Sequence, residues 1–246
     1  MCTLSYIPLS HNDYILTSNR DEKYERKSAL SPQLYNIKGV NVAYPKDLEK
    51  NGTWIAMSDN CYTLCLFNGA NTPHKPMKSY KRSRGLILLD FFNYNNINQF
   101  LISTDFKGVE PFTLVIIQYV NQIKLFEIVW NGKQIQIFYK DANKPHIWSS
   151  VMIYESEIRI HRKKMFDDFI NKNNETTFEK EILNFHKNKD FTDKKQNLII
   201  KTEIVSTVSI TQVLKNGLKT EMKYHDLKID KTAEISVDLA LKNNNT

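Results

Sequence analysis

Three cysteines in 246 residues are too few for a disulfide framework, and an odd number cannot all pair within the chain. Cys61 and Cys65 stand four apart in a run of β-formers, on one face of that run. No further Cys or His stands in register with them, so two buried thiols are expected there and a metal site is not. No cofactor is expected. No apolar run reaches the ~20 residues that span a bilayer. The start lacks the basic and apolar regions of a secretion signal, and a Cys at residue 2 without such a leader is not a lipoprotein start. These absences imply a cytoplasmic protein with no transmembrane segment. There is no basic stripe interleaved with aromatics and no nucleic-acid-binding motif, so nucleic acid is not an expected partner. No internal repeat or linker interrupts the chain. Residues 1–242 are expected to form a single domain, with a frayed, disordered tail at 243–246.

What is present is globular. Hydrophobic residues make up 41% and charged residues 25%, and the length suffices for an extensive core. The formal charge is +7 and the pI about 9.1. The densest basic clusters are 78–84 and 161–164. A solvated basic face is the preferred reading; attraction to anionic lipids or phosphorylated ligands is the functional one.

Residues 1–29 carry the strongest signal. Two runs of β-formers flank the polar turn Ser10-His11-Asn12-Asp13, which reads as a hairpin pairing 2–8 with 14–21. A loop of two or four residues pairs positions summing to 23. Cys2 then faces Asp21 and Leu4 faces Asn19, so thiol and carboxylate project together. A slip of one residue undoes this. A small second residue lets the initiator Met be removed, giving Cys2 a free α-amine of pKa about 7.7–8.0 beside its own thiol. An N-terminal amine can serve as base for its own side-chain nucleophile, and Arg20 would favour the thiolate. An isolated Met-Cys has no such meaning, since a free Cys behaves as a small hydrophobe. The Asn19-Arg20-Asp21-Glu22 cluster gives it weight.

Residues 23–50, punctuated by Pro32, Gly39 and Pro45, read as an ordered loop. A second hairpin follows, 53–57 and 61–67. Helices are expected at 84–93 and 97–103. A meander of strands at 111–119, 123–130 and 134–139 follows, with Asn131-Gly132 its clearest turn. An amphipathic helix spans 154–171, with His161 on its solvated basic face. Another spans 177–186, capped by Thr176 or Thr177. A charged loop at 187–195 and β-rich runs at 197–205, 207–214 and 218–224 complete the chain. Hairpins separated by helical blocks imply α+β architecture.

Met1-Cys2-Thr3, Asn19-Arg20-Asp21-Glu22, Gly52-Thr53-Trp54, Leu66-Phe67-Asn68 and Arg82-Ser83-Arg84-Gly85 resemble the NRDE family, the transport-and-Golgi-organisation group. The good matches cover about residues 1–92. The resemblance implies the four-layer αββα sandwich of N-terminal-nucleophile hydrolases, two stacked antiparallel sheets flanked by helices. It also implies a cysteine amidohydrolase cleaving linear amide C–N bonds. In it Cys2 is the nucleophile, Asp21 orients the amine, Arg20 tunes the thiolate or binds substrate, and Asn68 holds the oxyanion. Asn68 reads equally as a turn residue satisfying local backbone. Asn19, Glu22, Trp54, Ser149 and Ser150 are the further candidates for binding a small-molecule or acyl-amide ligand. Glu22 could instead pair with Arg26. The family has Gly near position 60, so Asn60 is expected at positive φ. Two departures stand out: Ser149-Ser150 replace Ser-Asn, removing a second amide, and Val208 stands where the family often has Arg. The missing second amide and the basic surface favour the alternative, a non-catalytic binding or trafficking module holding haem or lipid acyl groups. For haem, His146 and Cys2 are candidate ligands by residue type alone.

Overall fold

The computed structural model describes residues 3–189 and 197–240. Among these, thirteen strands form two antiparallel sheets. Cys2, the part of the 187–195 loop from 190 onward and the expected tail at 243–246 lie outside the described residues.

The first sheet has six strands in the order β10 (His146–Ser149), β1 (Thr3–Leu9), β2 (Asp13–Lys23), β11 (Val205–Asn216), β12 (Lys219–Asp226) and β13 (Lys231–Asp238). The first hairpin is therefore real and central, but its register differs from the expected one by a residue. Thr3 pairs with Asn19 and Leu4 with Ser18, so partners sum to 22. The cause is the turn. Leu9 pairs with Asp13 across a three-residue loop in which His11 and Asn12 take φ values of 59° and 64°. A polar His-Asn pair tolerates this left-handed backbone.

The second sheet has seven strands, β3 (Leu30–Ile37), β4 (Val40–Lys46), β5 (Ile55–Ser58), β6 (Tyr62–Asn68), β7 (Phe112–Gln118), β8 (Lys124–Trp130) and β9 (Ile135–Lys140), ordered as in the chain. The 23–50 segment is not a loop. It contributes an edge hairpin whose two-residue turn, Lys38-Gly39, has positive φ at both positions and so matches strand twist. The meander extends this sheet beyond β6. Positive φ falls on Cys61 rather than Asn60.

Three apolar layers hold the sandwich together. Leu4, Tyr6, Tyr14 and Leu16 of the first sheet meet Ile55, Met57, Cys65 and Val115 of the second. Burial pushes the Cys65 thiol pKa up, as expected for a buried thiol. Helices α1 (Arg84–Asp90) and α2 (Ile97–Ser103) cover the second sheet through Ile87, Leu88 and Phe100. Helices α3 (Ser156–Lys172) and α4 (Glu175–His186) cover the first through Phe166, Ile182 and Phe185 against Ile7 and Ile15. The result is the expected αββα order.

Four smaller expectations are corrected. Asn174, not a Thr, caps α4, accepting at its side chain from the Thr176 hydroxyl at 2.7 Å. His161 is half-buried. Residues 197–204 form no ladder strand, because Leu198 and Ile200 pack into the helix-side apolar clusters instead. A further strand, β13, lies beyond the expected runs, its Ala233, Ile235 and Val237 alternating with polar residues. No described helix is long and apolar enough to cross a membrane.

Candidate active site

The period of two along β2 divides the Asn-Arg-Asp-Glu tetrapeptide between two faces. Asn19 and Asp21 point to the helices α3 and α4. Arg20 and Glu22 point to the second sheet. The faces have different environments and different uses.

On the sheet side, Arg20 is 3% exposed. Its guanidinium carbon lies 4.0 Å from the centroid of the Trp54 ring, and its Nη2 donates to Asp47 at 2.5 Å. Arg26 grips the same carboxylate with both Nε and Nη2, at 2.9 and 3.0 Å. Burial by itself raises the Asp47 pKa, but the Arg26 bonds, the Lys50 backbone N–H and the Arg20 charge outweigh it and hold the carboxyl below its ordinary range. Glu22 pairs with Arg26 at 3.4 Å, as anticipated, and lies 3.7 Å from Arg20.

These groups line one side of an open cavity of about 370 Å³. The opposite side comes from the 78–85 segment. Gly52 and Gly85 let the two sides meet backbone to backbone. A Cβ on Gly85 would lie 2.7 Å from the Thr53 carbonyl oxygen, and one on Gly52 would lie 2.5 Å from the Gly85 carbonyl carbon. Two stretches that the sequence singled out separately, 52–54 and 82–85, thus form one wall. The basic cluster at 78–84 is solvent-exposed at Lys78, Lys81 and Arg82, as expected of a solvated face, and borders this wall. Lys78, Arg82 and Arg84 line the cavity with Arg20, Arg26 and Lys50, against the acids Glu22, Asp47 and Glu110. Arg84 pairs with Glu110 at 3.0 Å, and Arg82 with Asp90 outside the cavity at 2.6 Å. The cavity is net cationic.

Asn68 ends β6 and lines both this cavity and a second one of about 270 Å³ that includes Trp148, Ser149 and Arg159. Its backbone carbonyl accepts from the Ser150 hydroxyl at 2.8 Å. Its side-chain amide nitrogen donates to no described residue. The indole N–H of buried Trp54 also lacks a partner among the described residues.

The helix side is a closed polar core. Asp21 is 2% exposed. It accepts from the Tyr154 hydroxyl at 2.5 Å and the Thr207 hydroxyl at 2.6 Å. Asn19 is fully buried. Its amide donates to the carbonyls of His186 and Leu198 at 3.0 and 2.9 Å, and its oxygen lies 2.7 Å from His186 Nδ1. Asn19 and Asp21 line neither cavity, so Asn19 is a structural residue here rather than a ligand contact. His146 also lines neither, and its Nε2 lies 2.7 Å from the Asp141 carbonyl. The described residues contain no group of three metal-ligating side chains.

Sequence reasoning missed Asp47, His186 and Arg162. Asp47 sat in a stretch read as loop. His186 and Arg162 had a legible signal: each lies four residues from an apolar position of its own helix, Ile182 and Phe166, and so falls on the buried stripe.

The sequence profile described as Transport and Golgi organisation 2 matches residues 1–224. The chain belongs to this family. No curated protein matches it by sequence. Many solved structures are similar in fold, among them the following three. The Caenorhabditis elegans ortholog of N-acylethanolamine-hydrolyzing acid amidase has a TM-score of 0.56 at 12% identity, covering 86% of this chain and 92% of that one. Penicillin V acylase from Agrobacterium tumefaciens gives 0.58 at 8%, covering 95% and 86%. The mutant C2A conjugated bile acid hydrolase from Clostridium perfringens gives 0.54 at 10%, covering 100% and 95%. This member of the Transport and Golgi organisation 2 family therefore has the fold of the N-terminal-nucleophile amidohydrolases.

Proposed function

We propose that the protein is a cysteine amidohydrolase of linear amides, with Cys2 as nucleophile. The observation that supports this best is the register of the first hairpin. Thr3, bonded to Cys2, pairs with Asn19 on the strand that carries Arg20. Arg20 lines the cavity that holds the unengaged amide of Asn68. Nucleophile and oxyanion donor then belong to one site. Asp21, on the opposite face, acts through the backbone start and the polar core rather than from the cavity.

In the reaction, the Cys2 α-amine takes the thiol proton. The thiolate attacks the amide carbon, and negative charge develops on the carbonyl oxygen, where the Asn68 N–H donates. The tetrahedral intermediate collapses, the C–N bond breaks, and the amine leaves with the proton held by the α-ammonium. Water, deprotonated by the same amine, attacks the thioester and restores the thiol while releasing a carboxylic acid. A cavity of about 370 Å³ accepts a small linear ligand. A panel of N-acyl amides incubated with the protein, followed by intact mass, should reveal an acyl adduct on the wild type and none on Cys2→Ala. No adduct and no released amine across the panel would count against hydrolysis.

One observation favours the second reading, a ligand-binding module without chemistry. Ser150 stands where the related hydrolases carry an amide, and its hydroxyl is engaged by the Asn68 carbonyl. It offers the site no replacement donor. On that reading the net cationic cavity holds haem carboxylates or an acyl lipid headgroup. A Soret band in the absorbance of the purified protein, or co-purifying lipid, would support it.

A further inference from the structure

Arg162 heads the large side chains that are fully buried, and the reaction above does not use it. It enters from α3 between the helix layer and the start of β1. Its Nη1 donates to the Thr3 hydroxyl at 2.6 Å and its Nη2 to the Asn197 carbonyl at 2.5 Å. Its guanidinium carbon lies 3.7 Å from the centroid of the Tyr154 ring. Nε has no partner among the described residues, and none of their carboxylates forms an ion pair with this cation. A buried guanidinium without a carboxylate is costly. An apolar side chain of similar volume would fill the space without that cost.

The two ends that Arg162 joins are what distinguish it. One is Thr3, covalently bonded to Cys2. The other is reached across the Tyr154 ring, whose hydroxyl donates to Asp21 at 2.5 Å. Thr207 holds the second Asp21 oxygen at 2.6 Å. The guanidinium, the phenol and the two carboxylate bonds thus link Thr3, at the start of β1, to Asp21 of the Asn-Arg-Asp-Glu cluster. All of them lie on the helix side of the sheet, away from the cavity.

We propose that Arg162 is a positioning residue for the chemistry at Cys2. It fixes the start of β1 through Thr3 and the orientation of Asp21 through Tyr154. It therefore sets where the N-terminal amine and thiol stand relative to that carboxylate. This rests on the reading of Cys2 as the reacting group. A planar fork that bonds two partners while stacking on a ring is a task for Arg rather than Lys.

The test uses the chain beginning at Cys2 and iodoacetamide, with the second-order alkylation rate at Cys2 followed by peptide mass mapping at neutral pH. Wild type, R162M, R162K and Y154F are compared, each with its melting temperature. Wild-type Cys2 should react faster than the same thiol in the denatured chain. R162M should slow it by about tenfold or more, since small misplacements of reacting groups carry penalties of that order. Y154F, which loses the bond to Asp21 and little volume, should slow it in the same direction. R162K should recover part of the loss at a melting temperature no higher than that of R162M, which a purely structural role would not produce. Folded R162M and Y154F alkylated at the wild-type rate would overturn the proposal. If R162M does not fold, R162K and Y154F decide it, with wild-type rates in both counting as refutation. A wild-type Cys2 no faster than the denatured thiol would instead contradict the nucleophile reading, and the proposal would fall with it.

Discussion

His186 Nδ1 lies 2.7 Å from Asn19 Oδ1 at the fully buried junction of α4 and β2. Because the Asn19 amide nitrogen donates to two carbonyls, its oxygen must accept, so the proton sits on Nδ1. Nε2 then accepts from the Ser5 hydroxyl at 2.7 Å. Every polar atom of both side chains is satisfied. The serine, imidazole and amide resemble a nucleophile's triad in arrangement, but they are closed to substrate. They fasten the helix layer to the hairpin that carries Cys2.

Asn19→Asp should be strongly destabilising although it is nearly isosteric. It keeps the acceptor for His186 and loses both donors, leaving two buried carbonyls facing a carboxylate. The expected loss is about 3 kcal/mol or more, measured by urea denaturation at neutral pH.

The same junction makes stability depend on pH. Burial, followed by the nearby charge of Arg162, pushes the His186 pKa down to about 3. The unfolded ring titrates near 6.5. Between these values the unfolded chain binds a proton that the folded chain does not. The contribution of His186 is therefore full above about pH 6.5 and declines as pH falls towards about 3, by at most about 1.4 kcal/mol per unit. The stability gap between wild type and His186→Gln should narrow as pH is lowered from about 7 to about 4.5. A gap constant over that range would contradict the neutral, buried imidazole.

Asp47→Asn removes the charge shared by Arg20 and Arg26. Leaving two guanidinium groups with only the longer Glu22 contacts should cost about 3 kcal/mol at neutral pH. The folded Asp47 pKa is depressed, so its contribution is full above about 4, the ordinary carboxyl value, and is lost as pH falls through the lower folded one. Denaturation at two pH values checks both the size and the sign.

Gly85→Ala tests the cavity wall. Its Cβ would sit 2.7 Å from the Thr53 carbonyl oxygen, which is backbone and cannot rotate away. The expected penalty is about 1–3 kcal/mol, with weaker ligand binding because 52–54 and 82–85 must separate. A variant with unchanged melting temperature would show that the wall is looser than described.

Much of this was legible in the sequence. The αββα layering, the central first hairpin, the meander and all four helices follow from period, turn chemistry and resemblance. The register of the first hairpin did not, because His11 and Asn12 allow a three-residue loop where a two- or four-residue one reads equally well. The alternation along β2 puts Arg20 in the cavity and Asp21 on the other face; the register changes only which β1 residue lies opposite each. The 23–50 segment hid an edge hairpin because edge strands alternate weakly and tolerate Pro. Asp47 was hidden with it. Arg162 and His186 sat in plain view on apolar stripes, but a polar residue on such a stripe gives no hint of the partners that satisfy it.

The central claim, that Cys2 reacts with its own amine as base, is tested most directly by the intact mass of the protein isolated from its natural host. A thiol adjacent to an amide nitrogen has no lone pair close enough to take its proton. The account predicts a mass lacking Met1, so that the chain begins at Cys2. Retention of Met1 in the bulk of the material would contradict it and leave the ligand-binding reading in its place.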